Sequence, residues 1–226
     1  MGDLVEHYAN LYKDAIQKIK SDTYQTDRLM DSVDNRSGLT LLTRPDIMVR
    51  NNIQLFLNEL KAIEPDQYYY PDSDLHVTVL AIISCYVGFD LSQISILDYI
   101  DLINKSIASK KCFEIEFRGI TASPSCIMIQ GFLNDDTLNE IRDNLRRNFK
   151  DSDLQQSIDT RYLLQTAHST VVRFRKQFTK KDDFVKVLED YRDYYFGTVA
   201  INTLELVYTD WYQRKEKVKE VCRFAI

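Results

Sequence analysis

The chain has 226 residues, 44% hydrophobic and 28% charged, the balance of a folded globular protein rather than a disordered one. A net charge of −5 and a pI near 5.3 exclude a broad basic surface that coats nucleic acid non-specifically, leaving room only for a local basic pocket. Six glycines and four prolines leave little material for long flexible linkers.

The opening residues Met1–Glu6 lack the basic start and apolar run of a signal peptide. The longest apolar stretch, Val77–Ile83, is far short of a membrane span, so no membrane partner is expected and the expected location is the cytoplasm. Cys85, Cys112, Cys126 and Cys222 form no Cys-x-x-Cys pair, and three histidines supply no zinc-type cluster. The expectation is therefore no metal and no cofactor. The cysteines read as buried small hydrophobes in a reducing compartment.

Leu4, Tyr8, Leu11, Ala15 and Ile19 fall at helical spacing, and the period fades through the polar segment ending at Asn35-Arg36-Ser37-Gly38. Residues 1–37 read as a helical extension on a main domain of 38–226. Leu39–Leu42 reads as a short strand stopped by Pro45. Ile53, Phe56, Leu57 and Leu60 mark a helix, Leu75–Ile83 a β-rich run, and Ile96, Ile100, Ile103 and Ile107 a second helix. Phe113, Ile115 and Phe117 alternate with charged residues as in a half-buried strand.

The same order then recurs. Cys126–Phe132 reads as a strand; Leu138, Ile141, Leu145 and Phe149 as a helix; and Leu163–Phe174 as a second β-rich run. Phe184, Val187, Leu188, Tyr191 and Tyr195 read as a helix, and Val199–Tyr208 as a closing strand. This predicts two lobes, about 38–120 and 121–226, related by a pseudo-twofold, in an α+β rather than a parallel α/β arrangement.

Each repeat carries one His-x-Thr in its β-rich run: His76-Val77-Thr78-Val79 and His168-Ser169-Thr170-Val171. Residues i and i+2 of a strand share a face, so each histidine faces the same way as its threonine. Central strands are expected for both, where β-branched neighbours pack well. If the pseudo-twofold apposes them, two imidazoles and two hydroxyls converge. A neutral imidazole takes a proton and a protonated one returns it near neutral pH, while hydroxyls donate to non-bridging phosphate oxygens. A lone His-x-Thr is ordinarily structural; two in equivalent slots, using two of three histidines, point to phosphodiester chemistry without a metal. His7 has no such partner.

On these motifs the chain resembles the two-histidine phosphoesterase superfamily, which includes bacterial 2′–5′ RNA ligase-like proteins and cyclic nucleotide phosphodiesterases. The resemblance covers residues 38–226 through the element order and the Phe113–Phe117 strand. It implies a bilobal α+β fold, two antiparallel-rich sheets around a central cleft with helices outside. It implies His76 and His168 as catalytic residues and Thr78 and Thr170 as phosphate-binding ones. The reaction expected is hydrolysis or transesterification of a 2′,3′-cyclic phosphate, a cyclic nucleotide or a 2′–5′ linkage. Arg173 sits where relatives often carry a basic residue after the second motif.

Other candidates for substrate contact are Tyr70, from the Tyr68–Tyr70 run, whose ring offers a base-stacking surface, and Trp211 and Tyr212 at the cleft mouth. Arg44 is a phosphate candidate, with a surface ion pair as the plainer reading. The Lys215, Lys217 and Lys219 run reads as a solvated face, and Arg146-Arg147 as helix-terminal cations. The expected partner is a nucleotide or short RNA, and a monomer is favoured. The rival readings are a nucleotide- or RNA-end-binding module without turnover and an interaction protein acting through its extension.

Overall fold

The computed structural model describes residues 2–226. Its nine strands form two sheets in which every neighbouring pair is antiparallel. The first sheet has the order β3 (Val77–Val87), β1 (Arg36–Thr43), β8 (Thr203–Asp210), β9 (Lys219–Ala225). The second runs β2 (Tyr68–Tyr69), β6 (Ser169–Arg173), β5 (Cys126–Leu133), β4 (Phe113–Ser123), β7 (Tyr195–Ile201). The helices are α1 (Gly2–Lys20), α2 (Ile47–Ile63), α3 (Ile96–Ile107), α4 (Thr137–Lys150) and α5 (Lys181–Asp190). The fold is α+β with two antiparallel sheets, as expected.

The repeat is real, but its halves are interlaced. β4 turns tightly at Ser123–Cys126 onto β5 and so joins the second sheet, while β8 returns to pair with β1 in the first. A lobe boundary at residue 120 therefore does not follow the sheets. Antiparallel pairing through that short turn outweighs the order of the repeat. The expected closing strand at Val199–Tyr208 is two strands, β7 and β8, parted at Asn202. β9, unforeseen, closes the first sheet.

Helix α2 shows how local chemistry sets an element. The Asp46 side chain accepts from the Val49 amide at 2.9 Å as N-cap, and Val49, Ile53, Phe56, Leu57 and Leu60 bury one stripe, which meets β7 and α5. Helix α1 packs on β4, with Tyr8, Tyr12, Ala15, Ile16 and Ile19 buried; Leu4 and Leu11 of the expected stripe are only half-buried. The Thr121 hydroxyl donates to the Tyr8 carbonyl (2.8 Å), and the amides of Gln25 and Asp27 donate to Pro124 and Phe174 carbonyls (2.7 Å each). The extension is thus fastened along its length, and the strand after it begins at Arg36, two residues before the expected boundary.

Two of the cysteines, Cys85 and Cys126, are buried as expected; Cys112 is exposed and Cys222 half-buried, because each sits at an open sheet margin or loop. No helix among the described residues is long and apolar enough to cross a membrane.

Candidate active site

Strand β3 is the outer edge of its sheet, and β6 is covered on its outer side only by the two-residue β2. Neither is the central strand expected. The reason is topological: these margins are the ones that meet across the groove between the sheets, so both motif segments face it. His76 and His168 each lie one residue ahead of their strand, in extended chain.

Between the sheets lies a cleft of about 940 Å³ including its open mouth, lined among others by His76, Thr78, His168, Thr170, Tyr70, Arg173 and Trp211. The i, i+2 alternation has delivered all four motif side chains to one space. His76 Nδ1 is 2.7 Å from the Asp74 carbonyl oxygen. A carbonyl only accepts, so this nitrogen carries the proton and Nε2 of the neutral ring keeps its lone pair. His168 Nδ1 lies 2.6 Å from the Thr166 hydroxyl, a partner able to donate or accept. Burial pushes both imidazoles down to about 4, with the cations Arg44 and Arg173 adding to the effect at His76 and Arg142 foremost among them at His168. Both rings are therefore neutral near pH 7.

The cleft is locally basic in an acidic chain. Its two carboxylates are already paired, Asp159 with Arg146 and Asp210 with Arg214, each at 2.6 Å. Arg173 and Arg161 have no carboxylate partner among the described residues. Arg173 donates through Nε to the Tyr70 hydroxyl (2.9 Å), and its guanidinium lies 5.4 Å from the Tyr212 ring centre. Arg161 lies 4.3 Å from the Trp211 ring centre on the cleft wall.

Two candidates fall outside this wall. Arg44 is bonded to Glu205 (2.9 Å) and to the Ser73 carbonyl (2.9 Å), because the strand register brings Glu205 opposite Leu42, two residues from Arg44. Tyr212 is fully buried with its hydroxyl on Asp27 (3.0 Å), beneath Arg173 rather than at the mouth. Trp211 does line the cleft.

Sequence reasoning missed residues 151–162 and read 163–168 as part of a β-rich run, whereas the whole segment 151–168 is irregular and supplies Ser157, Asp159, Thr160, Arg161, Tyr162 and Leu164 to the wall. Its Ser157 amide donates to the Ile82 carbonyl (2.9 Å) and its Ser157 hydroxyl accepts from the Ser84 amide (2.7 Å), covering the open edge of β3. Arg146 holds it further through Asp159 and the Leu164 carbonyl. The one visible signal was Asp159-Thr160 amid polar residues without period. Among the described residues no cluster of three metal-ligating side chains occurs.

Two lobes with a His-x-Thr segment on each facing margin define the two-histidine phosphoesterase architecture. The sequence pattern of the AKAP7 2′5′ RNA ligase-like domain matches residues 42–218, well over half of the chain. The chain belongs to that family, within the two-histidine phosphoesterase superfamily. Solved structures with the same fold include TT0787 of Thermus thermophilus, at 14% identity and TM-score 0.60, covering 83% of this chain and 97% of that one. They also include E. coli LigT complexed with 3′-AMP, at 11% identity and TM-score 0.57, with 84% and 98% coverage. A third is ATU0111 of Agrobacterium tumefaciens, a conserved protein of unknown function, at 15% identity and TM-score 0.54, with 91% and 97% coverage. No curated protein matches the sequence.

Proposed function

We propose that the protein is a metal-independent phosphodiesterase acting on a 2′,3′-cyclic phosphate, a cyclic nucleotide or a 2′–5′ linked oligonucleotide, with His76 and His168 as its acid–base pair. The observation that carries this reading is the convergence of two imidazoles, two hydroxyls and the uncompensated Arg173 guanidinium on one cleft. The tautomer of His76 suits it to the base role: Nε2 takes the proton of the attacking hydroxyl or water, and the Asp74 carbonyl then supports the imidazolium through Nδ1–H. His168, protonated once an anion is bound, returns a proton to the departing ester oxygen as the P–O bond breaks. Thr78, Thr170 and Arg173 donate to the non-bridging oxygens. A diester anion in the cleft raises both imidazole pKa values towards neutrality, which makes the protonated partner available. Support for a nucleotide comes from E. coli LigT, whose structures hold 3′-AMP, NADP+ and ATP. Trp211 offers aromatic surface in the same cleft, whereas Tyr70, expected as a stacking platform, is 1% exposed and acts there through its hydroxyl, which accepts from Arg173 Nε.

The test is turnover of a panel of 2′,3′-cyclic nucleotides, 3′,5′-cyclic nucleotides and 2′–5′ dinucleotides with excess chelator present. Turnover that survives chelator and collapses in both His76→Ala and His168→Ala is expected. Dependence on an added divalent ion, or activity that tolerates both substitutions, overturns the mechanism. Nucleotide binding with no turnover of any panel member favours a binding module instead.

A further inference from the structure

Arg142 on α4 is 1% exposed, yet none of its hydrogen bonds among the described residues goes to a carboxylate. Side chains this charged are rarely so deep without an opposite charge. Instead Nε donates to the Val79 carbonyl (2.9 Å), and Nη2 donates to the Thr78 carbonyl (3.0 Å) and the Thr166 carbonyl (2.8 Å). The first two belong to the His76-x-Thr78 margin. The third belongs to the residue whose hydroxyl meets His168 Nδ1.

Nη1 has no hydrogen-bond partner among the described residues. An unpaired buried donor on an unpaired buried charge is a poor choice for stability, since an apolar side chain of similar volume would fill the space without that desolvation. What the guanidinium supplies, and an apolar chain does not, is a planar fork of donors. Both Thr78 and Thr166 oxygens bond to one nitrogen, which holds them within about 6 Å of each other. These two carbonyls come from opposite sides of the cleft.

We propose that Arg142 is a positioning residue, a brace that joins the two His-x-Thr segments through the Thr78 and Thr166 carbonyls and sets the gap across which the histidines work. This rests on the two-histidine reading above. The brace has a second effect, through charge. The titratable and charged groups facing His168 are Arg142 on α4, His76 ahead of β3, Arg173 on β6 and His7 on α1, and Tyr8 on α1 faces Arg142. Of the charges facing His168, Arg142 opposes protonation of that ring most strongly.

Arg142→Lys and Arg142→Met, made in the full chain, separate the two effects. Lysine keeps the charge but, as a point donor on a flexible stem, does not span three carbonyls in a fixed plane. It should lower kcat by roughly 10–100-fold with KM within about threefold, and leave the His168 titration, followed by imidazole NMR, near its wild-type position. Methionine should lower kcat at least as far and move the His168 titration to higher pH, with His76 moving less. A role confined to folding would lower activity only in proportion to the folded fraction and leave kcat per folded molecule unchanged. Should the Met variant not fold, the Lys variant decides. An active wild type beside an equally active Lys variant sinks this proposal alone, as does a loss that tracks the folded fraction. A wild type with no turnover on the panel sinks it together with the two-histidine reading.

Discussion

Gly131 on β5 packs against the chain leading to His168, and a Cβ built there would lie 1.9 Å from the Ala167 carbonyl oxygen and 2.8 Å from its carbon. An ordinary contact begins at 3.4 Å, so in Gly131→Ala the Ala167 peptide must retreat by roughly 1.5 Å. His168 is the next residue, and a misplacement of about 1 Å at a reacting group costs on the order of 10²-fold in rate. The overpacking itself costs about 1–3 kcal/mol, and for a chain of this size each kcal/mol lowers the melting temperature by roughly 2–4 °C. Ile103→Val on α3, buried and outside the cleft wall, is the control; it loses about 0.5–1.5 kcal/mol by removal of one methylene group. Steady-state kinetics on the best panel substrate, beside thermal melts of the same preparations, gives the answer. Gly131→Ala should lose about a hundredfold in kcat while Ile103→Val stays near wild type. Equal kcat for Gly131→Ala and wild type would refute the claim that this close approach sets the position of His168.

Thr78→Val and Thr170→Val should each lower kcat by about 10²–10³-fold with little change in melting temperature; wild-type rates in both would remove the hydroxyls from phosphate contact. Arg173→Gln should raise KM by roughly 10–100-fold, the worth of a charge-assisted contact of about 1.5–3 kcal/mol, and an unchanged KM would show that the anion sits elsewhere. Because both imidazoles are held at about 4, below their ordinary 6.5, the unfolded chain binds these protons more tightly. Their contribution to stability is therefore complete above pH 6.5, is lost as pH falls towards 4, and amounts to up to about 3 kcal/mol for each ring. Melts from pH 7.5 to 4 should show that decline, lessened by bound nucleotide, and a flat profile would contradict it. The two limbs of the pH profile should lie higher for kcat than for kcat/KM, since the bound anion favours both imidazolium forms; coincident limbs would count against that coupling.

The four motif residues were legible because strand alternation is local: from His76 the same face appears again at Thr78, whatever the rest of the chain does. Arg142 was not, because nothing in Thr137–Lys150 distinguishes an arginine that turns inward from those that turn outward; its partners lie on other elements. Arg44 and Tyr212 misled for the same reason. Their partners, Glu205 and Asp27, are distant in sequence, and only the pairing of β1 with β8 and the path of the extension bring them close. Residues 151–162 have no hydrophobic period to read, and the order of that segment depends on β3 and Arg146. β9 escaped because of its seven residues only Phe224 is buried, too thin an alternation to register.

The exchange of β4 and β8 between the halves has a mechanical consequence. Neither half of the chain holds a complete sheet: residues 36–87 need 203–225 beside them, and 126–173 need 113–123. A hinge between the halves would have to tear a ladder of main-chain hydrogen bonds along β1 and β8 or along β4 and β5. The cleft itself lies between the two sheets, so those ladders stay whole whatever its width, and the side chain that spans the gap is Arg142, bonded to the Thr78 and Thr166 carbonyls. Folding must also bring together segments more than a hundred residues apart, such as β1 and β8, a slow class of folding reaction.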